Sequence, residues 1–252
     1  MTSTLLTPWW KRQPVAAPGA GAEAEGSAAA TRILDLHAAG IQRLLGDARG
    51  AAPDGGGERT LVLAAHRLIS ERVRPVYAMN DAQPASRTLA RGRGSCSQRL
   101  AVLEAVARAA GVRTRVRGLL VDGSFWYPRF PRLRPLVPDA VVLAWPEFRV
   151  DGAWVNVSEL YAPLDVLGAR DPRGFTNTGS QTLFEALSST AVDWDGSMCG
   201  TDSCPSYDLS AMVRRDLGRF SSRDELFAAH GQTLCLPARV AGGAVLGRMT
   251  PA

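Results

Sequence analysis

Cys96, His230 and Asp122 are the residues whose type and position lend themselves to chemistry. Cys96 follows Gly94-Ser95, and Gln98 stands three residues after Ser95, a capping-box pattern that places the cysteine at the first position of a helix. There the positive end of the helix dipole favours a thiolate, and unpaired backbone N–H groups are available to hold an oxyanion during acyl transfer. A nucleophilic thiol needs a base. The chain has three histidines, His37, His66 and His230. The first two fall in upstream segments that read as structural helices. His230 ends a short helix just before Gly231, so it is the expected base. Asp122 closes the strand that follows the cysteine helix, where a carboxylate is placed to orient an imidazole; Asp139 is the alternative. Each of the three also has an ordinary use: a small buried thiol, a cation at a helix C-terminus, and an Asp-Gly turn.

Several elements must position these groups. Ile33, Leu34, His37, Ile41, Leu44 and Leu45 recur at helical spacing and predict a helix from Thr31, broken by the glycine-rich stretch 50–58. A second helix carries Leu61, Leu63, Ala64, Leu68 and Ile69 and ends near Pro75. The cysteine helix buries Leu100, Leu103, Val106, Ala107 and Ala110 and stops at Gly111. Strands are expected at 113–122 and 124–130 around Asp122-Gly123, and at 139–150 and 153–158 around Asp151-Gly152, with Pro146 marking an edge or bulge. The stretch 161–182 reads as loop, followed by a short helix near 181–189. Ser222 and Glu225 cap a helix ending at Gly231, and 238–248 reads as a last strand. The order is helices, strands, then short helices, which is α+β. Residues 1–30, rich in Ala, Gly and Pro, read as a flexible leader, with Trp9 and Trp10 unusual within it, and 31–252 as one domain.

Composition narrows the function. With 252 residues, 46% of them hydrophobic, the chain is long enough for a sizeable core. No apolar run has the length of a membrane span and no secretory signal is evident, so a cytoplasmic protein is expected. The net charge is +5, and Lys11 is its single lysine. That surplus suits an acidic partner but is too diffuse to indicate nucleic acid. No phosphate-binding loop or dinucleotide fingerprint occurs, so no cofactor is expected. Cys199 and Cys204 sit five residues apart, and no further short-spaced ligand pair supports a metal there.

The run VYAMNDAQPASRTLARGRGSCSQRLAVLEAVARAAGVRTRVRGLLV resembles the core of the transglutaminase-like, papain-like cysteine superfamily, and LAWPEFRVDGAWVNVSEL resembles its next hairpin. Together they cover roughly 75–160. Where the superfamily has His-Ala-Trp, this chain reads Leu143-Ala144-Trp145. Where it has an aspartate after the second hairpin strand, this chain has Ser158. Either the chain is an inactive relative, or its base and acid come from elsewhere. The second option is similar to the cysteine-dependent Dieckmann cyclases of tetramate and pyridone biosynthesis, whose Cys, strand Asp and C-terminal His correspond in order to Cys96, Asp122 and His230. This resemblance implies a transglutaminase-like fold with N-terminal helices, a nucleophile-bearing helix and an antiparallel sheet. It also implies a carrier-protein thioester as substrate. Phe125, Trp126, Tyr127, Phe130 and Trp145 would then exclude water. Arg87, Arg91, Arg93, Arg99, Arg129, Arg132 and Arg134 would face an acidic carrier. The alternatives are a cysteine protease or acyltransferase on the same thiol, and a degenerate binding module.

Overall fold

The computed structural model describes residues 24–53, 55–197, 209–235 and 239. Trp9, Trp10, Cys199, Cys204 and most of the expected last strand lie outside them. Of the expected leader, 24–30 are described, and they lie along the body: Ser27 pairs with Thr114, and Arg113, Arg115 and Arg108 donate to the carbonyls of Gly26, Ala24 and Ala29.

Helix α1 spans Ala39–Ala51 and α2 Glu58–Arg72. The predicted start at Thr31 is too early. The N–H of Ile33 bonds the Asp224 carboxylate and its C=O accepts from Ala85, so tertiary partners hold the groups a helix would need. Ile33 and Leu34 are buried as a docked bend rather than as a helical stripe. His37 consequently lies in an exposed turn.

Two short parallel strands, β1 (Arg74–Pro75) and β2 (Arg93–Gly94), bracket α3 (Ala85–Arg91) and bring the chain to the start of α4, Cys96–Ala109. The capping box is present. Ser95 Oγ accepts from Gln98 N at 3.3 Å, and Gln98 Oε1 accepts from Ser95 N at 3.2 Å. Helix α4 packs against α1, α2 and α3. Its Leu100, Val102, Leu103, Ala105 and Val106 are central to the core.

A four-stranded sheet follows in the order β5-β4-β3-β6, antiparallel throughout. Strand β3 is Thr114–Asp122, β4 Ala140–Val150, β5 Ala153–Asn156 and β6 Val213–Phe220. The β4–β5 turn has positive φ at Asp151 (53°) and Gly152 (83°), as a tight two-residue hairpin requires. Pro146 is tolerated because β5 pairs only with Glu147–Val150 and leaves the neighbouring edge of β4 open.

The Asp122-Gly123 hairpin does not form. Asp122 Oδ1 accepts from Ser124 N at 2.8 Å and caps a 3-10 turn at Gly123–Trp126, and the chain runs through further turns to Pro138. Gly123 closes this excursion by donating to Asp139 O at 2.9 Å; a Cβ there would stand 1.8 Å from Pro138 O. Strand β3 therefore pairs with β4 rather than with 124–130.

Helix α5 (Leu164–Arg170) interrupts the expected loop, and α6 (Leu183–Ala186) lies where the short helix was expected. Helix α7, Arg223–His230, is capped by Ser222, whose Oγ accepts from Glu225 N at 3.1 Å, and ends at Gly231. Leu226 of α7 packs over Gly118 of β3.

Candidate active site

Cys96 occupies the first turn of α4, half-buried against the core. It is held by the capping box and by the turn before it. Gln98 completes the local frame by donating from Nε2 to Asn80 O at 2.9 Å, which ties the loop 79–83 to the helix start.

Tyr77 is the neighbour that sequence reasoning missed, and Arg129, expected to face a carrier, stands beside it. The Tyr77 hydroxyl lies within electrostatic reach of the Cys96 thiol and of the Arg129 guanidinium. Burial pushes the phenol above its ordinary pKa, and the cysteine adds to this while the guanidinium opposes it. Arg129 is itself clamped. Its Nε donates to Asn177 Oδ1 at 2.8 Å, and its terminal nitrogens bond the carbonyls of Gly179 and Gln181. The Phe130 ring packs on Tyr77 with centroids 4.5 Å apart. No local pattern marks Tyr77, because its meeting with Arg129 depends on the non-hairpin course of 123–139.

His230 is buried at the end of α7, its ring edge-on to Phe220 with centroids 5.6 Å apart. Three contacts draw the chain around it toward the cysteine. Arg223 Nη1, at the start of α7, donates to the hydroxyl of Ser97 beside Cys96 at 3.0 Å. Gln232 Oε1 accepts from Asp81 N at 2.9 Å, in the loop that Gln98 anchors. Thr233 Oγ1 accepts from Val142 N at 3.0 Å, one residue from Leu143.

Asp122 engages other partners. Its Oδ2 accepts from Arg214 Nε at 2.8 Å and Nη2 at 2.6 Å, and its Oδ1 from Ser124. Burial opposes ionisation here, but the bonds from Ser124 and Arg214 prevail and hold the carboxyl below its usual pKa. These contacts tie Asp122 to β6 and to its own turn. Asp139, the alternative acid, sits at the exposed mouth of the same excursion.

Leu143 and Ser158 are buried, and Ser158 N bonds Asn156 Oδ1 in a 3-10 turn. Neither side chain offers a base or an acid. His66 is structural: Nε2 donates to Phe184 O at 2.8 Å and Nδ1 accepts from the Tyr161 hydroxyl at 2.7 Å. Burial lowers its pKa to about 4, so the ring stays neutral.

The expected aromatic wall divides. Phe125 and Trp145 are core residues that meet Trp194, whereas Phe130 borders the cysteine through Tyr77. The expected basic surface needs correcting at Arg129, half-buried and clamped as above, and at Arg99. Arg99 is fully buried, ion-paired with Glu185 and lying 4.2 Å over the Phe184 ring. Arg87, Arg91, Arg93, Arg132 and Arg134 are exposed. Among the described residues no group of His, Cys, Asp and Glu side chains is arranged to hold a metal. No helix among them is long and apolar enough to cross a membrane.

Residues 50–158 match the sequence model of the transglutaminase-like superfamily. The match runs from the end of α1 to the turn after β5 and includes Cys96 and Asp122. The mixed helices and antiparallel sheet are α+β and agree with a transglutaminase-like fold. A transglutaminase-like domain is typically a cysteine-enzyme fold. No curated protein and no solved structure matches the chain.

Proposed function

We propose that this protein is a cysteine-dependent acyl-transfer enzyme that releases a chain by cyclisation, with Cys96 as nucleophile and His230 as base. One observation carries this reading. The segment around His230 is fastened at Ser97, at Asp81 and at Val142, which are the surroundings of the cysteine-helix start and of Leu143. A base delivered from α7 makes good the imidazole that Leu143 does not supply.

In this reading a β-ketoacyl-aminoacyl chain arrives as a thioester on a carrier protein. Cys96 loses its proton to His230 and attacks the thioester carbonyl. The N–H groups at the start of α4 hold the oxyanion, and the carrier thiol departs with the proton from His230. His230 then removes the acidic proton between the ketone and amide carbonyls. The resulting carbanion attacks the acyl-enzyme carbonyl, the bond to Cys96 sulfur breaks, and a tetramic acid is released, or a pyridone where the aminoacyl unit is a β-amino acid already carrying the α,β double bond. Asp122 acts on this chemistry by fixing the excursion 123–139 that carries Arg129 and Phe130. For it to orient His230 directly it must exchange Arg214 for the imidazole. The carrier docks on the exposed Arg132 and Arg134, with Leu133 and Leu136 exposed between and beside them.

Product analysis with a β-ketoacyl-aminoacyl thioester mimic tests the reaction class. The expected result is cyclic product from wild type and its loss in Cys96→Ala and His230→Ala. Linear acid in its place identifies a hydrolase of the same superfamily. Full activity in His230→Ala removes that residue as the base.

A further inference from the structure

An open groove of about 560 Å³ runs between α1 and α3, with Arg72, the last residue of α2, beside it. Helix α1 turns Gly40, Arg43, Leu44 and Asp47 into the groove. Arg87 and Leu89 face them from α3. The lining shares no residue with the surroundings of Cys96 or with the Arg132–Arg134 surface.

The four α1 positions are spaced i, i+3, i+4 and i+7, which is the four-residue hole that receives a side chain from a neighbouring helix. Leu44 is its buried base. Half-buried Leu89 borders the hole without filling it: a Cβ built at Gly40 stands 3.6 Å from Leu89 Cδ2, an ordinary contact. Packing against α3 therefore does not require a glycine at 40, and its missing side chain leaves the hole open.

Charge is the second, independent indication. The lining holds three guanidinium groups, Arg43, Arg72 and Arg87, and one carboxylate, Asp47. Asp47 stands one turn after Arg43 but pairs with Arg72. Among the described residues, Arg43 and Arg87 are exposed and have no acidic partner. Two further acids adjoin the lining. Glu71 is matched by Arg67 one turn before it, and Asp35 accepts from the N–H and hydroxyl of Ser86 at the start of α3. Asp35 takes one charge from the surplus, and Arg91, one turn beyond Arg87 and bonded to the neutral Gln83, restores it. Two positive charges remain in excess. Arg87 and Arg91 repel each other at this i,i+4 spacing, a cost that an acidic partner removes.

We propose that the α1–α3 groove docks an acidic amphipathic helix of a partner protein, with one apolar side chain seated over Leu44 and carboxylates on either side of it paired with Arg43 and Arg87. A small anion such as phosphate meets the arginines but leaves the hole empty, whereas a helix of this kind uses both. The contact does not depend on the reaction proposed for Cys96.

The probe is a fluorescein-labelled, alanine-based helical peptide of about 18 residues, with leucines along one face and glutamates flanking them. In one control peptide every glutamate is glutamine, and in the other every leucine is alanine. Fluorescence anisotropy with the full chain is the readout. The expected result is saturable binding of the acidic leucine peptide, weakened about tenfold or more in the double variant Arg43→Gln with Arg87→Gln. Gly40→Gln, which fills the hole from the protein side, weakens it to a similar extent, and circular dichroism shows both variants folded. Arg132→Gln with Arg134→Gln leaves the affinity unchanged. No saturation up to about 1 mM peptide, equal binding of either control peptide, affinity unchanged in both groove variants, or loss confined to the Arg132 and Arg134 variant overturns the proposal.

Discussion

At the scale of single residues, the two described histidines within helices have opposite assignments. His66 has both ring nitrogens committed, to Phe184 O and the Tyr161 hydroxyl, and its ring stacks on Phe184 at 4.2 Å. A proton added at Nδ1 has to break the bond from Tyr161. The sign of the pH effect follows. The unfolded histidine titrates near 6.5 and the folded one near 4, so the unfolded state binds more protons between these values. The contribution of His66 is complete above about pH 6.5 and is lost as pH falls toward 4, to a limit of about 3 kcal/mol. Urea unfolding across this window is expected to show wild-type stability falling with pH, and His66→Phe to flatten that dependence. An equal slope in both proteins contradicts the assignment. The role of His66 follows from burial by distant chain, whereas the place of Cys96 at a helix start was legible from its neighbours, because a helix cap is a local code. The meeting of Tyr77 with Arg129 was not legible, since no spacing rule links residues brought together by an irregular excursion.

At the scale of elements, the start of α4 is where local chemistry and function meet. Ser95 and Gln98 satisfy each other's backbone N–H groups, and Gln98 also reaches Asn80. Ser95→Ala removes one acceptor from that turn and is expected to cost about 1 kcal/mol. It is also expected to lower turnover more than this stability loss accounts for, because the same turn carries Cys96. Denaturant midpoints measured beside kcat separate the two effects. The β4–β5 hairpin was equally legible, since Asp-Gly supplies the positive φ angles its turn needs. The other Asp-Gly step was misleading. Asp122 spends its side chain on the Ser124 N–H, and Gly123 is required by the close approach of Pro138 rather than by a tight turn. Helices α3 and α5, seven residues each, follow Pro84 and Pro163 and are too short for a periodic stripe to reveal.

At the scale of the whole molecule, one buried ion pair joins the two elements that bear the proposed nucleophile and base. Arg223 of α7 donates from Nε to Glu104 of α4 at 2.5 Å, and both side chains are wholly buried. The same guanidinium reaches Ser97 and the Ala144 carbonyl on the open edge of β4. Arg223→Met leaves the Glu104 carboxyl buried without this partner and is expected to destabilise the fold by about 3–5 kcal/mol. The double variant Arg223→Met with Glu104→Leu is expected to regain much of that stability but not the activity. Its α4 and α7 are no longer held in register by the guanidinium. Thermal unfolding and turnover of the single and double variants distinguish this fastening role from a purely stabilising one. Glu104 and Arg223 are 119 residues apart, so their pairing was hidden until the sheet and both helices were in place.

In the proposed reaction Cys96 takes an acyl group with the help of His230. Intact-protein mass spectrometry after mixing with a β-ketoacyl-aminoacyl thioester mimic tests it most directly. The expected result is a mass increase equal to one acyl chain on wild type, absent in Cys96→Ser and formed far more slowly in His230→Ala. An adduct that persists in Cys96→Ser, or a wild-type protein that never acquires one from the mimic or from a carrier-bound thioester, contradicts it.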